Sequence, residues 1–441
     1  MLVPTARGVA ASVLARVIAD KAFASAALDA ELERAVQLES RDRALATELT
    51  YGTLRLFPWL DDRIARHASR GLDGLEPIVR AHLAVAAYQV LVLTRVPAFA
   101  AVNEAVSAIR ATRGGAKVAG FANAVLRKLT AEKRPTEEEL AEASLASVDP
   151  SLHAAIVRAI GAEAARALLV GIDSSPALGL RIEDAATRDE WLARFAEARP
   201  NGTFVAGKVS PHAVLARGAG KLLDLPGHDE GAWTPQEEGS QLVALALGAS
   251  AGETVLDACA GRGNKTGLLG RAVGPGGAVD AADVHPKKLD RLVRELARIA
   301  IVPRRTLAID WSRGTGDAVA GYDGILVDAP CSGTGTLRRR PELALRRVAT
   351  DIAELAVLQR GILRHAATLV KPGGRLVYAV CSVLREEAEE VIADAGELGL
   401  EPAPFAGAAA RDLAQGHTLR LLPSEHGTDG YFLASFVRLG S

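Results

Sequence analysis

Hydrophobic positions in the first 134 residues recur at helical spacing, and none of them alternate as a strand would. Val9, Val13 and Val17 fall on one helical face, and Leu45, Leu49 and Leu56 follow the polar stretch ESRDR. His82–Leu93 (HLAVAAYQVLVL) is apolar almost throughout. It is too short for the roughly 20 residues of a membrane span and predicts a buried central helix. Pro97 punctuates the chain before the amphipathic AAVNEAVSAIRA, and FANAVLRKL (Phe121–Leu129) closes the set. Residues 1–134 therefore read as an all-helical bundle. KRPTEEELAE (Lys133–Glu142) then reads as a linker feeding a solvated helix start. Within 135–230, ALGLRI and GTFVAG are short strand candidates around the helical DEWLARFAEA, which suggests a small α+β subdomain. From 231 to 441 the pattern becomes strand-length apolar runs separated by helical stretches: TVLDA (254–258), AVDAAD (278–283), RTLAI (305–309), GILVD (324–328) and RLVYAV (375–380). That order predicts βαβ units and a buried parallel sheet. YFLASFV (431–437) is expected to pair antiparallel at one edge.

Composition narrows this picture. A chain of 441 residues is too long for one ordinary core, and 49% hydrophobic with 24% charged residues is a globular profile. Lys and Arg total 52 against 53 Asp and Glu, which excludes a uniformly cationic binder but not local basic surfaces. Three cysteines exclude a disulfide scaffold and fit a reduced, cytoplasmic setting. No Cys or His spacing matches a zinc site, so no metal is expected. The start, MLVPTARGVAASVL, lacks signal-peptide order, and no membrane association is expected.

VLDACAGRGNKTG (Val255–Gly267) reads as a strand entering a glycine turn and then a helix. Glycines let backbone approach a ligand closely, and a helix N-terminus offers free N–H groups. The spacing is neither G-x-G-x-x-G nor G-x-x-x-x-G-K-[ST], so dinucleotide and triphosphate loops fit poorly, and a plain glycine turn stays open. Asp283 ends the second strand, where a carboxylate can bind ribose hydroxyls; Asp310 ends the third, within reach of an adenine amino group. Together they point to an adenosyl ligand without triphosphate, such as S-adenosylmethionine.

Each cysteine follows a strand candidate, in DACAG, DAPCSGTG and YAVCS. Cys259 reads first as a small buried hydrophobe. Cys331 and Cys381 would share a pocket with Asp328 if the fourth and fifth strands are neighbours. Two thiols, a carboxylate and an adenosyl donor suit methylation of a pyrimidine at carbon 5. A thiolate adding to carbon 6 makes carbon 5 nucleophilic, a carboxyl at ring nitrogen 3 stabilises the developing charge, and a second base removes the carbon 5 proton.

These motifs resemble the Sun-type family of RNA cytosine-5 methyltransferases. The resemblance extends through DRALATELTYGTLR (Asp42–Arg55), AYQVLVLTRVP (Ala87–Pro97), AAVNEAVSAI (Ala100–Ile109) and FANAVLRKL, which are similar to a NusB-like helical domain. It continues through WTPQEEGSQLVALALG (Trp233–Gly248), TLRRRPELALRR (Thr336–Arg347) and the final EHGTDGYFLASF, covering nearly the whole chain. It implies a NusB-like bundle, a small α+β RNA-recognition subdomain and a Rossmann-like S-adenosylmethionine-dependent methyltransferase domain. It further implies that Cys381 is the nucleophile, Cys331 serves product release, and Asp328 contacts cytosine while bordering the methyl donor. Cys259, Ala260, Gly261, Arg262, Gly263, Asn264 and Lys265, with Asp283 and Asp310, are similar to the donor-binding set. The implied substrate is RNA, specifically 16S ribosomal RNA of the small subunit, with no obligate protein partner.

Arg338, Arg339, Arg340, Arg346 and Arg347 crowd one stretch after the Cys331 loop. Phosphate contacts are favoured there over a solvated helix start. Arg7, Arg127 and Lys128 are RNA candidates by analogy with NusB proteins, with surface solubility an equal alternative. Four departures stand out. Gly261–Asn264 replaces the family's A-P-G-G, which puts Arg262 beside a cationic donor; Val380 replaces a threonine; Glu183 stands where the family's R-V-N normally ends, adding a negative charge on the expected RNA side; and an aromatic residue after R-R-x-P is missing. They leave open a noncatalytic reading, a NusB-like RNA-binding or ribosome-assembly factor with a degenerate methyltransferase domain.

Overall fold

A computed structural model describes residues 4–69, 71–170, 176–345 and 349–440. The chain separates into two units, one of Met1–Ala154, Ala165–Pro176 and Leu337–Arg347, the other of Ala155–Ala164, Ala177–Thr336 and Val348–Ser441.

In the first unit, α1 (Ala6–Asp20), α2 (Ala24–Arg34), α3 (Ser40–Arg55), α4 (Phe57–Ala65), α5 (Pro77–Leu91), α6 (Ala98–Ala111) and α7 (Ala119–Leu129) form the expected bundle. α5 is the central helix: Ala81–Leu91 are buried, and it packs on α1, α3, α4, α6 and α7. A helix apolar on every side is stable only inside a core. The stretch expected to be a linker instead opens α8 (Glu137–Ala146) through a capping box. The Thr136 hydroxyl accepts from the Glu139 N–H, and the Glu139 carboxylate accepts from the Thr136 N–H. Ala141, Ala143 and Ser144 are buried, and the Ser144 hydroxyl donates to the Leu169 carbonyl, so α8 belongs to the helical unit. α9 (Pro150–Ile160) and α10 (Ala162–Val170) follow.

The arginine-rich segment also lies in this unit and not in the second, where it was expected. Pro341, Glu342 and Leu343 are buried, the Glu342 carboxylate accepts from the Ala24 N–H at the start of α2 (3.2 Å), and Arg55 donates to the Arg338 carbonyl (3.4 Å). The apolar residues between the arginines decide the matter, because they need a core to cover them.

The second unit begins with β1 (Leu178–Ile182), α11 (Arg188–Ala198), β2 (Thr203–Ala206), β3 (Ala213–Arg217) and β4 (Trp233–Pro235), an antiparallel sheet in the order β2-β3-β1-β4. β4 falls beyond the residue 230 boundary expected for the subdomain. Then come α12 (Glu238–Ala246), β5 (Thr254–Asp257), α13 (Asn264–Val273), β6 (Ala278–Asp283), α14 (Pro286–Arg298), β7 (Arg305–Ala308), β8 (Tyr322–Asp328), α15 (Ala349–Leu369), β9 (Val370–Val380), β10 (Leu400–Pro402), β11 (Thr418–Leu421) and β12 (Tyr431–Arg438). β9-β8-β5-β6-β7 is parallel, and β12 runs antiparallel to β9. β12 is not the edge: β10 covers Phe436–Arg438 and β11 covers Tyr431–Ala434 on its other side. All six strands anticipated after residue 231 are present, in a Rossmann-like sheet. Among the described residues no helix is long and apolar enough to cross a membrane.

Arg181 ties the antiparallel sheet to the Rossmann-like layer. Its side chain is fully buried; Nε and Nη2 donate to Glu183 Oε1 (3.1 and 2.5 Å), and Nη1 donates to Gln236 Oε1 (2.6 Å) and to the Asn264 carbonyl opening α13. Glu183 also accepts from Thr234 (2.8 Å) and lies 3.4 Å from Arg271 Nε. The charge expected on an RNA-facing surface is thus the buried partner of a guanidinium. Burial drags the Arg181 pKa below its ordinary value, with Glu183 opposing. Replacing Arg181 by Ala strands that carboxylate, a loss of about 3–5 kcal/mol. We expect a urea melt followed through the buried Trp233 to show it, and Arg181→Ala/Glu183→Ala to recover part of the loss.

Candidate active site

The glycine turn expected to hold the donor is built where β5 ends. Gly261 (φ +57°) and Gly263 (φ +90°) are both left-handed, and Gly263 forms the N-cap of α13. A Cβ at Gly263 would lie 2.8 Å from Leu292, so only glycine fits, whereas one at Gly261 would meet nothing nearer than 4.0 Å. The turn is therefore tight beneath and open above. Asp283, at the end of β6 and largely buried, accepts from Gly261 N–H (3.2 Å) and His285 N–H (2.8 Å). Arg262 is exposed, so its charge is turned to solvent. Asp310 is exposed after β7; hydrogen bonds from Ser312 hold its carboxyl below the usual range, and Arg313 lies 3.2 Å away. Cys259 is a packed thiol pushed up by burial.

The parallel β8–β9 pairing sets Asp328 opposite Ala379, and Ala329 N–H donates to the Ala379 carbonyl (2.9 Å). Past both strand ends, Gly335 N–H donates to the Cys381 carbonyl (3.0 Å), closing the DAPCSGTG loop over the start of the next segment. Cys331 Sγ and Cys381 Sγ are 3.3 Å apart, half-buried and unoxidised. The structure thus brings the two thiols together, as their places after neighbouring strands led us to expect.

Lys265, expected to serve the donor, reaches across from the first turn of α13 to Asp328, Nζ to Oδ2 at 2.6 Å. Burial works against its charge, but Asp328, then Asp257 and Cys381, outweigh it and raise the Lys265 pKa. A persistent cation therefore pairs with the acid and also feels the Cys381 sulfur. Beneath the thiols, Glu387 is fully buried and bonded to Ser332. Sequence reasoning missed Glu387, Asp257 and Arg181. Glu387 is one of four glutamates in REEAEE, and nothing in that string marks which one turns inward.

The basic candidates divide. Arg127 and Lys128 are exposed in the last turn of α7. Arg7 is spent inside its own unit, on Glu104 and Gln89 at 2.5 Å each. Arg338 and Arg339 are half-buried and Arg340 exposed; Arg346 and Arg347 lie outside the described residues. Among the described residues no cluster of His, Cys, Asp and Glu could hold a metal ion.

Residues 244–437 match the family described as 16S rRNA methyltransferase RsmB/F, and residues 4–131 match the NusB family. Ribosomal RNA small subunit methyltransferase B of Pseudomonas putida is 34% identical over 448 residues, 98% of each chain. The protein of that name from Pasteurella multocida is 32% identical over 422 residues, 92% of this chain and 90% of its own. Among solved structures, PH0851 aligns over 99% of both chains at 24% identity, with a TM-score of 0.82. NSun6 from Pyrococcus horikoshii with SFG aligns over 67% of this chain and all of its own at 16% identity, with a TM-score of 0.58. At those identities the structural likeness bears on fold alone.

Asp257, fully buried below the donor turn, accepts from the Thr266 hydroxyl at 2.7 Å. Burial pushes its pKa up to about 6, with Asp328 adding and Thr266 and Lys265 opposing. A carboxyl raised on folding stabilises the native state below its unfolded pKa and loses that contribution as pH rises through the folded value. Stability should therefore fall between pH 4 and pH 7 at this position. We expect Asp257→Asn, which cannot ionise, to match the parent in urea melts near pH 4 and to exceed it near pH 8; equal stability at pH 8 would show that burial of this charge costs nothing.

Proposed function

The chain belongs to the 16S rRNA methyltransferase RsmB/F family, S-adenosylmethionine-dependent enzymes of ribosomal RNA, and from that premise we propose that it methylates carbon 5 of a cytosine in small-subunit ribosomal RNA through a covalent Cys381 adduct. The observation that carries this reading is the 3.3 Å approach of two free sulfurs beside the Asp328–Lys265 pair. The name shared by the two curated relatives, for the ribosomal small subunit, supports the RNA target.

Cys381 adds as a thiolate to carbon 6 of the base, with Lys265 supplying positive charge nearby. Asp328 faces the polar edge of the cytosine, fixed in place by the same lysine. S-adenosylmethionine, when bound, supplies the methyl group as an electrophilic sulfonium. Cys259 to Asn264 and Asp283 are assigned to hold it, with Asp310 at the outer end and Asp328 at the inner. The open space above Gly261 and the outward Arg262 fit such a ligand. Cys331 then accepts the carbon 5 proton, the carbon–sulfur bond breaks, and Cys381 leaves as thiolate. A base paired in RNA must be unstacked to reach the thiols. Arg127, Lys128 and Arg340 are proposed to touch phosphate; Arg338 and Arg339 are weaker candidates, and Arg7 is withdrawn because its guanidinium is already paired.

The tests use radiolabelled methyl donor, small-subunit ribosomal RNA and denaturing gels. Cys381→Ala should abolish both methyl transfer and adduct, and normal turnover by that variant would overturn the assignment. Cys331→Ala should accumulate a denaturant-resistant protein–RNA adduct; its absence would reverse the two roles. Failure of the parent protein to bind S-adenosylmethionine at millimolar donor would favour the noncatalytic assembly factor.

A further inference from the structure

The buried carboxylate of Glu387 has no part in the chemistry so far, yet it lies directly under the release thiol. Its Oε1 accepts from the Ser332 N–H (2.8 Å) and from Gln359 Nε2 (3.0 Å), and its Oε2 accepts from the Ser332 hydroxyl (2.5 Å). Gln359, fully buried on α15, donates also to the carbonyl of Pro330 (2.9 Å). Pro330 and Ser332 flank Cys331, so the thiol is gripped through both neighbours. The Tyr378 hydroxyl, from β9, donates to the Glu387 carbonyl (2.7 Å), anchoring the carboxylate's own backbone. On the other thiol's side, the Ser382 hydroxyl shares hydrogen bonds with Thr334 (2.9 Å) and Ser332 (3.4 Å).

These bonds come from neutral donors, so they place the charge without cancelling it. The Cys331 thiol is pushed up by its hydrogen bond to Cys381, by burial and by the Cys381 charge, and Glu387 adds to the same effect. Lys265 instead interacts with Cys381. Tyr378, itself near Cys259 and Asp328, also interacts with Cys331, and Tyr431, near Glu237, Asp429 and Asp328, interacts with Cys381. An anion behind Cys331 makes that thiol the stronger proton acceptor, while the Lys265 cation lies on the side of Cys381.

We propose that Glu387 is a positioning residue that fixes Cys331 and strengthens it as the base of the release step, leaving formation of the adduct untouched. This rests on the covalent reading above. In that step the carbon 5–hydrogen bond breaks and its proton goes to the Cys331 thiolate. The electron pair forms the ring double bond, and the carbon 6–sulfur pair returns to Cys381. Between turnovers Cys331 gives its proton to water.

The test is single-turnover kinetics with labelled donor and ribosomal RNA, following adduct formation and release separately across pH. Release should rise with pH as Cys331 deprotonates. Glu387→Gln keeps the volume and removes the charge. We expect unchanged adduct formation, a release limb moved about one pH unit lower and a plateau lowered about threefold. Ser332→Ala removes one bond and keeps the charge, so its release plateau should fall while the limb stays put. The proposal is overturned if the Glu387→Gln limb does not move, or if adduct formation slows as much as release, the mark of a merely structural role. Should Glu387→Gln melt at a much lower temperature than the parent, Ser332→Ala decides, and release at the parent's rate overturns the proposal. Absence of any adduct in Cys331→Ala would instead reverse the roles of the two cysteines and sink this proposal with that assignment; adduct there, with unaltered release in Glu387→Gln, sinks only the role of Glu387.

Discussion

The register of β8 against β9 is the constraint on which the site depends. Pairing Asp328 with Ala379 fixes where each strand stops, and the loops that follow have only to continue for a few residues before their sulfurs meet at 3.3 Å. A slip of one residue would turn every side chain to the opposite face and separate the two thiols. The apolar residues on both faces of these strands prevent it: Ile325, Leu326, Val327, Leu376, Val377 and Tyr378 are all buried. The chemistry thus borrows its precision from a core that touches no substrate.

Buried charge is the second theme. Lys265, Asp328, Asp257 and Glu387 are charged or ionisable groups of this part of the fold, and each has a specific partner: Lys265 has Asp328, Asp257 has Thr266, Glu387 has Ser332 and Gln359. Arg181 adds a fifth, holding the Asn264 carbonyl where α13 begins. Such groups are costly to bury, and removing one partner is worse than removing both. They give the site a fixed electrostatic pattern before any ligand arrives, which is what stabilisation of developing charge requires.

Much of this was legible in the sequence because strand ends carry their own signals. The apolar runs ending in Asp257, Asp283 and Asp328 gave the parallel sheet, and cysteines following such runs had to fall at its carboxyl edge. The helical bundle was equally plain from the period of its apolar positions. Short elements escaped: LEP and TLRL are too brief to show a period, yet they pair along β12 and remove it from the edge. Charged residues escaped for a different reason. Glu183, Glu387 and the arginines after Leu337 look solvent-bound in a string of letters, and only the packing around them decides which way each one turns.

The segment at Leu337–Arg347 bears on how the molecule is made. The N–H of Ala24 is satisfied by Glu342, a partner 318 residues further along. At about 5–20 residues per second, a ribosome reaches that partner roughly a quarter of a minute to a minute after Ala24 is made. Until then the start of α2 and the apolar patch awaiting Pro341 and Leu343 stay uncovered. The helical bundle, which leaves the ribosome before the sheets of the second unit, is therefore completed only after most of that unit has been made.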